Sequence, residues 1–160
     1  MDTGDIAYHN YSSRIRMATP AQMEQAARWY HDAEGVAREV AANVRRPLSH
    51  GAAVVSAFSP RERWASNVTK AIHFSLGGVP AGLSRNVHTA NLAVVHGIPA
   101  LTGPKTNAFA RAIAGDDEAT VIDVWMMRAA GMSKDTPTKN EYALLSSALI
   151  DSASDFGITP

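Results

Sequence analysis

The feature of this sequence that most restricts its fold is the recurrence of helix-start signals, with no convincing strand signal between them. Thr19-Pro20-Ala21-Gln22 combines a capping residue, a proline at the first helical position and a glutamine at the capping-box spacing. Apolar residues then recur every three to four positions as far as Val44, and Pro47 ends the pattern. This segment predicts one long helix.

Further helices are predicted by capping residues, prolines or a closing glycine. They run from Ser59 to about Leu76, from Ser84 to Gly97, from Thr106 to Ala114, from near Asp123 onward, and from Thr138 onward. We therefore expect an all-α fold, a compact multi-helix domain. Residues 1–18 lack periodicity and are expected to form a loosely ordered N-terminal arm, whereas residues 19–160 form a single helical domain.

Composition excludes several classes of protein. The chain has no cysteine, which excludes disulfides and thiolate-held zinc or iron–sulfur clusters. None of its six histidines forms an i, i+4 pair with an acidic third ligand, so we expect no metal site and no cofactor. No apolar run approaches the roughly 20 residues that a membrane span needs. The expectation is a soluble protein of the cytoplasm, without a membrane partner.

Charge is distributed unevenly along a chain whose formal net charge is +0. The stretch from Arg45 to Arg111 holds one acid, Glu62, among eight basic residues, and the flanks carry the compensating acids. A basic block of this kind is typical of proteins that contact phosphate groups, although chance clustering on a solvated face would look the same. Its basic members are Arg45, Arg46, Arg61, Arg63, Lys70, Arg85, Lys105 and Arg111.

A glycine turn precedes one of the predicted helices. Gly103-Pro104-Lys105-Thr106 follows a compact apolar stretch and opens a helix, an arrangement that leaves backbone N–H groups directed outward. Such a turn can bind a phosphate oxygen, but glycine before a helix is also a common structural feature. Further along, Val121-Ile122-Asp123 leads into another helix that carries Arg128.

These two segments resemble the helix-hairpin-helix DNA glycosylase superfamily, in particular its endonuclease III-like branch. Gly103-Pro104-Lys105-Thr106 matches the second half of the family's hairpin, and Val121-Ile122-Asp123 matches its aspartate segment. The interval from Lys105 to Asp123 equals the family's separation of catalytic lysine and aspartate. The resemblance covers about residues 50–130, and the pattern is also similar to uncharacterised bacteriophage proteins of this type.

The resemblance implies DNA, duplex in the first instance, as the partner and a base-excision glycosylase or abasic-site lyase as the activity. Asp123 would stabilise positive charge at the sugar carbon, and the Lys105 amine would attack that carbon. Aromatic residues would line the pocket for a flipped base, and basic residues with the glycine turn would contact the phosphates. The expected pocket residues are Phe58, Trp64 and Trp125, and the expected DNA contacts are Gly103, Thr106, Arg61, Arg63, Lys70, Arg85 and Arg111.

Two alternatives remain open at this point. Leu101 stands where the family's first hairpin glycine usually lies, and Asn107 where a small alanine usually packs. This altered hairpin favours a binding or regulatory module that contacts DNA without catalysis. A helical adaptor for protein partners is the third hypothesis, in which the basic block is incidental. The target base and the oligomeric state are not predicted by the sequence.

Overall fold

A computed structural model describes residues 2–160, and Met1 lies outside the described residues. Within 2–160 the secondary structure is helical, with no strand, which confirms the all-α prediction. A 3-10 turn at Ile98–Ala100 separates the fifth and sixth helices. The helices are α1 Thr3–Met17, α2 Pro20–Val44, α3 Leu48–Ala57, α4 Trp64–Ser75, α5 Ser84–His96, α6 Pro104–Ile113, α7 Val124–Ala129 and α8 Lys139–Asp155.

The contacts divide the chain into two compact units. Unit 1 comprises Met1–Ala26 with Asp117–Pro160, and unit 2 comprises Ala27–Asp116. The unit boundary falls within α2. The structure therefore does not follow the expected division into an arm of residues 1–18 and a domain of residues 19–160.

Unit 1 is built around the packing of α1 on α8. Its core includes Ala7 and Tyr11 from α1, Met127 from α7 and Leu145 from α8, all with exposed fractions of 2% or less. The Tyr142 hydroxyl donates to the Thr120 carbonyl at 2.8 Å and joins α8 to the segment before α7. These contacts fix the position of α7 within the unit.

The expectation of a loosely ordered arm at residues 1–18 is wrong over the described residues 2–18. Asp2 and Asp5 form a reciprocal capping box that starts α1, with the Asp5 N–H donating to Asp2 Oδ1 at 2.9 Å. Burial of Ala7 and Tyr11 against α8 then stabilises the helix. The buried residues of this helix are just Ala7 and Tyr11, so α1 shows little apolar periodicity in the sequence.

Unit 2 surrounds α3, a short helix that is buried on every side. Each residue from Gly51 to Ala57 is buried, as expected for a helix that is apolar all round. Helices α5 and α6 both pack on α3. The Asn107 amide of α6 donates to the Leu101 carbonyl at 3.2 Å and ties α6 to the connection that follows α5.

Helix α4 starts later than the sequence predicts. The Ser59 hydroxyl donates to the Ser56 carbonyl at 2.8 Å, so it continues the end of α3 and does not cap α4. Arg61 has φ +62, in the left-handed region that interrupts a helix, and α4 begins only at Trp64.

Candidate functional site

The charges of the chain separate by unit. Unit 2 carries ten lysines and arginines against five acids, a net charge of +5, and unit 1 carries five against ten, a net charge of −5. The whole basic block of the sequence thus lies in unit 2. A neutral chain therefore contains one strongly cationic unit.

Six side chains of the block are exposed and form no ion pair or hydrogen bond with any described residue. They are Arg45, Arg46, Arg61, Arg63, Arg85 and Lys105. Two other predicted contacts are paired with carboxylates. Lys70 forms an ion pair with Glu62, and Arg111 Nε donates to Asp116 Oδ2 at 2.7 Å.

Glu62 lies between two unpaired arginines in the sequence, yet it does not pair with them. Its carboxylate accepts from Lys70 and from the Ser66 hydroxyl at 2.8 Å. The hydrogen bond from Lys70, supported by that from Ser66, lowers the pKa of Glu62. Arg61 and Arg63 therefore keep their positive charge available to solvent anions.

Helix α6 begins beside the end of α3. The buried Ser56 hydroxyl donates to the Thr106 carbonyl at 2.7 Å, and the Thr106 hydroxyl donates to the Gly103 carbonyl at 3.1 Å. Arg61 and Arg63 lie in the connection between α3 and α4, and Lys105 is in the first turn of α6. We call Arg61, Arg63 and Lys105 the cationic rim.

The backbone at the start of α6 adds donors to this rim. Gly103 occupies the N-cap position and has no side chain to satisfy the first amides. The N–H groups of Lys105 and Thr106 have no hydrogen-bond partner among residues 2–160. The expectation that this turn presents outward N–H groups is thus consistent with the geometry of unit 2.

The predicted reactive residues fall in different units. Lys105 lies in unit 2, and its exposed amine has no ion-pair partner in the described chain. Asp123 lies in unit 1, where it is the N-cap of α7 and its Oδ1 accepts from the Met126 N–H at 2.8 Å. Neither unit by itself brings the two side chains together.

The three predicted pocket residues have different surroundings within their own units. Phe58 is 2% exposed and packs on Phe74 with 5.5 Å between ring centroids, so its assignment to a pocket wall is corrected to the core of unit 2. Trp125 lies in unit 1, is 69% exposed and carries Arg128 over its ring at 5.2 Å. Trp64 is half-buried in unit 2.

Trp64 belongs to an aromatic cluster that the sequence did not suggest. Trp29 of α2 is its centre, with ring centroids 4.9 Å from Trp64 and from Tyr30 and 5.9 Å from Phe109. Three helices distant in sequence supply these rings. We call Trp29, Tyr30, Trp64 and Phe109 the aromatic cluster.

Unit 2 also has a groove of about 440 Å³ between α4 and the connection after it. The cation within it, Lys70, is neutralised by Glu62, which removes the main attraction for an anion. The lining residues are Ala65, Ser66, Thr69, Lys70, His73, Pro80 and Ala81. Across residues 2–160, no three histidine or carboxylate side chains are grouped as metal ligands.

The fold and the site define an all-α protein with a cationic unit and an anionic unit. Residues 5–160 match the model of the Family of unknown function (DUF7178), and the chain belongs to that family. No curated protein and no solved structure matches the chain. Over the described residues, no helix combines the length and apolar character required to cross a membrane.

Proposed function

We propose that this protein binds DNA through the phosphate contacts of unit 2. The observation that carries the proposal is the set of six exposed, unpaired arginine and lysine side chains in a unit of net charge +5. Each can neutralise a phosphate and release a condensed counterion, which is the main source of sequence-independent affinity. The paired Lys70 and Arg111 contribute less, because an ion pair must be broken first.

The start of α6 supports the same proposal at a defined place. Lys105 is exposed, and its N–H group and that of Thr106 have no hydrogen-bond partner among residues 2–160. A phosphate there would meet both a helix N-terminus and the exposed side chain of Lys105. Gly103-Pro104-Lys105-Thr106 is the segment that resembles the second half of the helix-hairpin-helix hairpin, and we propose that role for it.

The test is the salt dependence of DNA affinity. For duplex DNA the slope of log K against log salt is about −0.9 for each neutralised phosphate, so six contacts give a slope of about −5. Arg61→Gln and Arg63→Gln should each reduce the slope by about 1. The matched control is Lys139→Gln, an exposed lysine of unit 1 that forms no ion pair within the described chain.

Two results would contradict the proposal. Affinity that does not fall as salt rises excludes phosphate contacts as its source and favours the protein adaptor. Equal effects of Arg63→Gln and Lys139→Gln would mean that unit 2 has no special role.

Abasic-site lyase activity is a narrower proposal, which rests on the resemblance and on an amine of Lys105 that is exposed to a substrate and unpaired. A neutral amine adds to the aldehyde of an abasic sugar and loses water to give an imine, which borohydride reduces to a stable adduct. The adduct should form with the wild type and with Lys139→Ala but not with Lys105→Ala. If Lys105→Ala traps as well as the wild type, the lysine has no covalent role.

A further inference from the structure

The aromatic cluster lies next to the cationic rim. Trp64 directly follows Arg63, and Phe109 is one helical turn after Lys105 on the same side of α6. The rings of Trp64 and Phe109 are in contact, with 6.4 Å between their centroids. The ring contact of Trp64 with Phe109 therefore brings the residue after Arg63 together with the residue one turn after Lys105.

The cluster has a buried floor and an accessible edge. Phe109 is 8% exposed and forms the floor, whereas Tyr30 is 37% exposed and Trp29 and Trp64 are half-buried. Large aromatic side chains that serve only the core bury most of their surface. Here three of the four rings reach solvent, and Trp64 directly follows the unpaired Arg63.

We propose that unpaired nucleobases of single-stranded DNA stack on the accessible rings of Trp64, Trp29 and Tyr30 while the cationic rim contacts the adjoining phosphates. Aromatic rings beside a cationic track are the two features that single-stranded nucleic acids require, because every base has a stacking face and every nucleotide a phosphate. Bases within a duplex are stacked on one another and cannot reach the cluster. The inference rests on the proposed function, and it makes single strands the preferred form of DNA.

The decisive comparison uses two single-stranded oligomers of equal length and equal charge. One is oligothymidylate, and the other carries an abasic tetrahydrofuran at every position. Stacking should make the abasic oligomer bind about 5- to 150-fold more weakly for each base that stacks. Equal affinities with a normal salt slope would overturn the inference and leave the proposed function intact. Absence of salt-dependent binding to both oligomers and to duplex would overturn both.

Tryptophan fluorescence locates the stacking. The chain has three tryptophans, so Trp125→Phe leaves only Trp29 and Trp64, both in the aromatic cluster. In this variant oligothymidylate should quench the emission, and the abasic oligomer should not. Binding without quenching would place the bases elsewhere and contradict the inference.

Variants of Trp64 test the same contact by affinity. Trp64→Leu should reduce the preference for oligothymidylate over the abasic oligomer, whereas Trp64→Phe should retain most of it. Phe156→Leu removes an exposed ring of unit 1 and should leave the preference unchanged. If Trp64→Leu does not fold, the Trp64→Phe result and the quenching of Trp125→Phe decide the question. A preference that survives Trp64→Leu in a folded protein would contradict the proposed stacking.

Discussion

Gly51 on α3 lies directly against the Ala37 carbonyl of α2, so closely that a Cβ at position 51 would stand 2.1 Å from that oxygen. The same Cβ would also approach the Ala41 amide nitrogen at 2.9 Å. The obstacle is helical backbone, which cannot move aside as a flexible side chain could. The packing of α2 on α3 therefore depends on the absence of a side chain at this position.

Gly51→Ala should lower the free energy of unfolding by about 1–3 kcal/mol or more, because overpacking forces α2 and α3 apart. Gly35 provides the matched control, since it is an exposed glycine of α2 where an added Cβ would meet no other atom within 4 Å. Gly35→Ala should stabilise the helix by about 0.5–1 kcal/mol. Denaturant melts of both variants measure these changes, and equal effects would contradict the assigned packing.

The sequence correctly predicts α7 and α8, whose first turns are each capped by a nearby side chain. Thr138 and Glu141 form the expected capping box, and Asp123 caps α7. The signal of α1 is also local, a box between Asp2 and Asp5, but two acids near a terminus resemble a solvated charge run. The packing of α1 on α8 is a long-range contact, which periodicity within α1 cannot reveal.

The candidate site, like the fold, is predicted by the sequence only where it depends on residues close together in the chain. The basic block is a property of local composition, and the sequence identifies it correctly as one stretch of chain. Which cations are unpaired depends on contacts such as that of Glu62 with Lys70, eight positions away. The aromatic cluster depends on three helices meeting at Trp29, and no local pattern predicts that meeting.

Acid should weaken the start of α8 through Glu141. The hydrogen bond from Lys134, with further bonds from Thr138, lowers the pKa of Glu141 from its ordinary value of 4.5 to about 2. A carboxylate with a lowered pKa in the folded state contributes stability above pH 4.5 that is lost as the pH falls towards about 2. Glu141→Gln keeps a capping-box side chain but removes the charge. Thermal melts between these pH values should show a smaller loss of stability for Glu141→Gln than for the wild type.

Alkali should weaken unit 1 through Tyr11. Burial, with a smaller effect of the Asp123 charge, raises the pKa of Tyr11 from its ordinary value of 10.0 to about 12. The unfolded chain releases this proton first, so stability present below pH 10 is lost as the pH rises towards about 12. Tyr11→Phe removes this contribution, at the cost of the hydrogen bond to the Met126 carbonyl, 3.1 Å long. Its melting temperature should fall less steeply over this range, and parallel curves for the two proteins would exclude Tyr11 as the cause.

Variants of Asp123 separate its role as a helix cap from a role in catalysis. Asparagine caps a helix about as well as aspartate, so Asp123→Asn should keep the stability of the wild type within a few tenths of a kcal/mol, whereas Asp123→Ala should lose about 1 kcal/mol. If Asp123 also stabilises developing positive charge on a sugar, the folded Asp123→Asn protein should lose borohydride trapping or base release, because an amide carries no charge. Unfolding measurements and trapping assays on the same preparations give both answers. Full trapping by Asp123→Asn would restrict Asp123 to capping α7, where its bond to the Met126 N–H already explains its presence.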